Sequence, residues 1–287
     1  AGVNGQSFPG KGQWAVVANL RVDCEGYDGP VSQEVYGHNW RVINNDLAAS
    51  TAPRSGANVP RMGGIECNGN NSVWLGNHIH DIPPNSDAEA LITHLWQARW
   101  PKPTIRMLGP VTAEIVDPEG TVRHECLDGA ALDVVDGRGI GQVRRILRRD
   151  GNRIELDRPW FAEPDATSRI VFTAPPPYAN LTFIDNRIVS RSVNIIIWGM
   201  SYDTVIDGNF VADGPGITIW SVRLEADQAV WGGAGFTQVL HNVADLGWST
   251  PASAEHCLGG TPGIFFVTSK AYSCTAEGYD LLGLIVR

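Results

Sequence analysis

Asn180-Leu-Thr-Phe-Ile-Asp-Asn186 and Asp203-Thr-Val-Ile-Asp-Gly-Asn209 are two copies of one pattern. It runs Asn or Asp, then a hydrophobic-x-hydrophobic stretch, then an Asn six positions after the first residue. Two earlier copies are Asn39-Trp-Arg-Val-Ile-Asn-Asn45 and Asn71-Ser-Val-Trp-Leu-Gly-Asn77, and a weaker one, Phe236-Thr-Gln-Val-Leu-His-Asn242, keeps only the second Asn. Asn186 to Asn209 is 23 residues, Asn209 to Asn242 is 33, and Asn45 to Asn77 is 32. A period in the twenties, stretched by loop insertions, marks a solenoid whose repeats bury their apolar faces on one another.

Aligned, the copies give an apolar middle column of Val42, Trp74, Phe183, Ile206 and Val239. A second apolar column, two residues past the second Asn, holds Leu47, Ile79, Ile188, Val211 and Ala244. The flanking columns, Arg41, Val73, Thr182, Val205, Gln238 and Ile43, Leu75, Ile184, Asp207, Leu240, are mixed, as an outward face would be. Alternation with period two predicts strands. Further short strands are expected at Gly64-Ile-Glu-Cys67, Asn194-Ile-Ile-Ile197, Gly216-Ile-Thr-Ile219 and Gly263-Ile-Phe-Phe266. The recurring Asn suits a turn, because it tolerates left-handed geometry. Stacked from coil to coil, its amides can bond one another in a ladder. These Asn residues read as scaffold.

On these repeats, and on the phrases Gly76-Asn-His-Ile-His-Asp81 and Ile184-Asp-Asn-Arg-Ile-Val189, the chain resembles the right-handed parallel β-helix proteins of the pectate-lyase-like superfamily. The resemblance covers roughly residues 14–82 and 178–287. It implies an all-β fold, a right-handed parallel β-helix solenoid. It does not choose a function, since that superfamily includes lyases, glycosidases, epimerases, phage tailspikes and adhesins.

The stretch between Asn77 and Asn180 has no copy of the motif. Leu132-Asp-Val-Val-Asp-Gly-Arg-Gly-Ile-Gly-Gln-Val-Arg-Arg-Ile-Leu147, then Asp150-Gly-Asn, then Arg153-Ile-Glu-Leu-Asp-Arg-Pro-Trp160 predict a hairpin and a small antiparallel β insertion at about 104–174. The expectation is one domain over 1–287 carrying that insertion as a subdomain, similar to one found in some bacterial β-helix proteins. Gly137, Gly139 and Gly141 have the wrong spacing for a dinucleotide loop, and no Gly-Lys-Ser/Thr exists. Arg138, Arg144, Arg145, Arg148 and Arg149 gather positive charge there, as a solvated strand face or a polyanion site.

The composition, with 32 Gly, 18 Pro, 10 Trp and 18% charged residues, fits a secreted or cell-surface solenoid. A net charge of −9 argues against nucleic acid and anionic membranes as partners. No apolar run is long enough for a membrane span. The chain opens Ala-Gly-Val-Asn without a leader, as a mature or excised form would. Leu281-Leu-Gly-Leu-Ile-Val-Arg287 reads as an uncapped strand, so the natural chain continues or this end self-associates. The five cysteines lack metal-type spacing; Cys257 with Cys274, then Cys24 with Cys67, are the candidate disulfides, against five buried free thiols.

The polygalacturonase-type Asn-Thr-Asp, Asp-Asp and Gly-His-Gly are absent, as is the epimerase Asp-Pro-His-Asp, and no convincing pectate-lyase-type calcium carboxylate cluster with Arg-x-Pro stands out. His78, His80 and Asp81 alternate on one strand, but no third metal ligand is apparent, so no metal site is assigned. No cofactor is required, with Ca2+ left open.

The sharper constellation is aromatic. With 195, 197, 217 and 219 inward, Trp198 and Trp220 share the outward parity one coil apart. Stacked indoles offer a flat platform for the C–H faces of sugar rings. The same residues can equally pack beneath the insertion or the 221–235 segment. Nearby stand the candidate catalytic groups Asp203, Asp207, Asp213, Glu225 and Lys270, with Asp227 close by, and Arg223 and Tyr272 as candidate substrate contacts. A carboxylate pair across a sugar serves hydrolysis. A lyase needs a base and a neutraliser for the uronate carboxylate, for which Lys270, Tyr272, His241 or Arg223 qualify. The functional expectation is therefore a glycoside hydrolase or polysaccharide lyase acting along a surface groove. The alternative is a non-catalytic adhesin, appendage or filament subunit, or a polysaccharide-binding module.

Overall fold

The structure, a computed structural model, describes residues 5–6, 14–23, 33–36, 38–48, 65–82, 89–94, 104–116, 128–173, 178–190, 193–198, 201–214, 216–223, 231–232, 234–245, 265–271, 281–282 and 285–287. All regular structure among them is β-strand. The chain visits the same parallel sheets in the same cyclic order. Gln33–Tyr36 lies in a first sheet, Trp40–Ile43 in a second and Asp46–Ala48 in a third; Ile65–Asn68, Val73–Leu75 and His78–Ile82 then repeat the circuit. Later circuits add a short strand, Tyr178–Ala179 or Ser201–Tyr202, in a fourth parallel sheet between the first and second.

Register follows the aligned columns. Val73↔Arg41 and Thr182, Trp74↔Val42 and Phe183, and Leu75↔Ile43 and Ile184 are facing pairs. Val42, Trp74, Phe183, Ile206 and Val239 are buried in one core with Leu47, Ile79, Ile188 and Val211, and the first sheet closes it with Leu91, Ile195, Ile197, Ile217 and Ile219. Each such side chain removed from water contributes roughly 1.5–3 kcal/mol, so this inward stack is the main stabilising term.

Inside the turn from second to third sheet runs a ladder of amides. Each Nδ2 donates to the next Asn Oδ1, from Asn45 to Asn77, Asn186, Asn209 and Asn242, every step at 2.9 Å. The second Nδ2 proton goes to a backbone carbonyl, such as that of Val42 from Asn77 or Trp74 from Asn186. Each Oδ1 also accepts the backbone N–H of the preceding Asn in the ladder. An unpaired buried amide costs about 1–3 kcal/mol, and here none of these donors is left over. The left-handed turn residue is not the ladder Asn itself. It is the residue before it: Asn44 (φ 51°), Gly76 (64°), Asp185 (52°), Gly208 (65°) and His241 (51°). A second left-handed column opens each copy, at Asn39, Asn71, Asn180, Asp203 and Phe236.

Asn77 and Asn186 are ladder neighbours although 109 residues apart. The circuit runs on past Asn77 through His78–Ile82 and Glu89–His94, which pairs with Val193–Trp198, so the departure begins later than the motif gap implies. Residues 104–116 and 128–173 supply a six-stranded antiparallel sheet around Ile115, Leu132, Ile146, Leu156 and Phe172. Its Asp150-Gly-Asn turn joins Val143–Asp150 to Arg153–Leu156 as a hairpin. Gly137, Gly139 and Gly141 have positive φ in the turn before Val143. A Cβ on Gly137 would meet the Thr167 carbonyl oxygen at 1.9 Å, which explains glycine there without any nucleotide.

Candidate functional site

The third sheet exposes the densest group of chemistry-bearing side chains among the described residues. Asp46 faces His78 across adjacent strands, and His80 lies two residues further on the same face. His78 Nδ1 and His80 Nε2 both stand 3.0 Å from Asp46 Oδ1, and the two imidazoles stack at 4.3 Å with 23° between their planes. The other ring nitrogen of His80, Nδ1, is 2.7 Å from Asp81 Oδ2. Asp81 itself takes the left-handed conformation, at φ 59°. Burial raises the Asp46 carboxyl, but the hydrogen bond and charge of His80, and then those of His78, outweigh it and hold the group below its usual value. The three donor atoms lie within 4.8 Å of one another, and all three residues are part-exposed. Imidazole nitrogens with one carboxylate are a ligand set for a borderline transition ion more than for Ca2+.

The third candidate donor, absent from the sequence reading, is Asp46 from the preceding coil. Its signal was in the alignment: Asp46 and His78 both follow the ladder Asn directly, so they occupy one column.

On the first sheet, Trp198 and Trp220 occupy facing positions on adjacent parallel strands. His94 precedes them in that row and Thr268 follows. Lys270 stands two positions past Thr268 and opposite Val222, next to Arg223. The outward parity is not open along its whole length, because Ile196 and Thr218 are both buried. Any platform is therefore confined to the Trp198–Trp220 end of the strands.

The candidate carboxylates among the described residues stand on other elements than that row. Asp203 and Asp213 are exposed residues in left-handed turns (φ 55° and 63°), one before the second-sheet strand and one after the third-sheet strand. Asp207 ends Val205–Asp207 on the second sheet, where its Oδ1 lies 2.9 Å from His241 Nδ1 of the next coil. Glu225, Asp227, Tyr272, Cys24, Cys126, Cys257 and Cys274 lie outside the described residues; Cys67 falls within Ile65–Asn68. The arginine cluster is divided. Arg144 is buried, donates to the Pro159 carbonyl and to Gln142 Oε1, and lies 4.5 Å over the Trp160 ring. Burial, with Arg158 nearby, lowers its pKa. Arg148 pairs with Glu155.

No family model matches the chain, and no curated protein matches it. Among the described residues no helix is long and apolar enough to cross a membrane.

Proposed function

We propose that the chain is a right-handed parallel β-helix, a single domain carrying the antiparallel sheet as an inserted subdomain, that acts on a polysaccharide outside the cell. The cyclic return to three parallel sheets supports the helix. The carbohydrate reading is carried by one observation, the row His94, Trp198, Trp220 and Thr268 on four adjacent parallel strands. Parallel neighbours are about 4.8 Å apart, so the two tryptophans supply consecutive aromatic positions along a line, which suits a chain of sugar rings.

Chemistry on that line needs a proton acceptor within reach of it. By register Lys270 is the nearest of the candidate groups on the parity of the tryptophans, whereas Arg223, opposite Ala271, falls on the other parity. A base and a cation together suit a polysaccharide lyase acting on a uronate, while a hydrolase would need carboxylates brought to the same row. Asp207 and His241 sit on and beside the second sheet, away from the row.

A panel of acidic and neutral polysaccharides tests the reading, scored for new reducing ends and for the ultraviolet absorbance of unsaturated uronate ends. Unsaturated ends that vanish in Lys270→Ala support a lyase. Reducing ends without unsaturation support a hydrolase. Binding without cleavage leaves a binding module. Neither binding nor cleavage sinks the carbohydrate reading and favours a structural solenoid.

A further inference from the structure

We propose that Asp46, His78 and His80 form a binding site for a divalent transition ion of the Zn2+ type, with open coordination positions facing solvent. The donors are His78 Nδ1, His80 Nε2 and an Asp46 carboxylate oxygen, contributed by two successive coils. Bonds of about 2.0–2.1 Å in tetrahedral geometry set ligand atoms roughly 3.3 Å apart. The observed separations of 3.0 Å from Asp46 to each histidine need a shift of a few tenths of an ångström, and the two imidazole nitrogens, within 4.8 Å of one another, must reach the same spacing.

The surroundings hold the site in that arrangement. With Nε2 of His80 given to the ion, its Nδ1 keeps a proton and donates to Asp81 Oδ2 at 2.7 Å. This is the carboxylate–histidine–metal relay that fixes ring orientation and raises ligand basicity. His78 and His80 are held as a stacked pair on one strand. Of the neighbouring cations, Arg21 pairs with the other Asp46 oxygen, Oδ2, at 3.8 Å and leaves Oδ1 to the histidines, while Arg187, in register with His78, lies over the Phe210 ring at 4.4 Å. The shared Asp46 oxygen brings one ring nitrogen of each histidine to the same place, and a modest turn of the stacked rings would aim both lone pairs at an ion there. Three protein ligands leave further positions for water or a ligand oxygen, as in open zinc sites. Two imidazoles favour Zn2+, Co2+, Ni2+ or Cu2+ over Ca2+ and Mg2+. The site does not depend on the polysaccharide reading, since it lies on the third sheet and the tryptophan row on the first.

Tag-free protein, stripped with a chelator, is titrated with Co2+ and with Zn2+ by calorimetry, and the Co2+ form is read by visible absorption. The expected result is one saturable site per chain, a visible Co2+ band displaced by Zn2+, and no competition from excess Ca2+. His80→Gln and Asp46→Asn should each remove that band. Asp81→Asn should weaken binding about 10–100-fold while keeping the band. Circular dichroism confirms that each variant is folded, and the wild-type spectrum stands if one is not. Absence of saturable binding by the wild type, or a band that survives His80→Gln, overturns the proposal.

Discussion

At the residue scale, the buried amides are the most constrained positions. Asn186 spends both Nδ2 protons and accepts at Oδ1 from Asn77, and the sequence repeat had already marked its column. Asn186→Ala should lower stability by more than about 2 kcal/mol, because it leaves the Asn77 backbone N–H and one Asn77 Nδ2 proton without their acceptor in the core. Urea denaturation measures this as a lower midpoint with an unchanged slope. Gly208→Ala should cost about 1–2 kcal/mol for the left-handed backbone alone. Its new Cβ would also stand 2.4 Å from Asp185 Oδ1. What the repeat misassigned was the left-handed position, because the recurring Asn can itself take that conformation, while the residue that does take it varies from Asn44 through Gly76, Asp185 and Gly208 to His241. Asp46 adds a pH dependence in chelator-treated protein. Its folded pKa lies below the unfolded value of about 3.9. Its contribution is therefore complete above that value and lost as pH falls through the folded one. The melting-temperature gap between wild type and Asp46→Asn should persist near neutrality and close in acid.

At the scale of elements, strands whose one face is buried were legible, since period-two alternation reads directly as inward and outward. The first sheet shows where that logic ends. Ile196 and Thr218 lie on the outward parity and are nonetheless buried, for parity says which way a residue points and nothing about what packs over it. The third-sheet cluster was missed for a related reason. His78 and His80 are near in sequence, but Asp46 is 32 residues from His78 and meets it only through stacking. Asp207 and His241 are likewise brought together across 34 residues. Being part-exposed, their pair should be worth under about 1 kcal/mol. Asp207→Asn is expected to leave both stability and polysaccharide affinity near wild type, by thermal melting and calorimetry. In the antiparallel sheet, Arg144→Ala should destabilise clearly more than Arg148→Ala. Arg144 is buried against Trp160 with three hydrogen-bonded neighbours, while the Arg148–Glu155 pair is solvated.

At the scale of the whole molecule, the cyclic return to the same parallel sheets turns distant sequence into adjacent surface, so side chains far apart in the chain share one row. Asn77 and Asn186 show how completely the stack ignores the excursion between them. Among the described residues the antiparallel sheet meets the stack at a buried contact, where the Tyr202 hydroxyl donates to Asp133 beside Ala131 and Val143. That contact was not legible, because it joins two units with unrelated periodicity. The tryptophan row carries the proposed activity and is the most direct place to test it. Calorimetric titration with the polysaccharide fragment bound best by the wild type should show Trp198→Ala and Trp220→Ala each weakening affinity about tenfold or more, a loss near 1.4 kcal/mol. Unchanged affinity in both variants, or no polysaccharide bound by the wild type, would contradict the account.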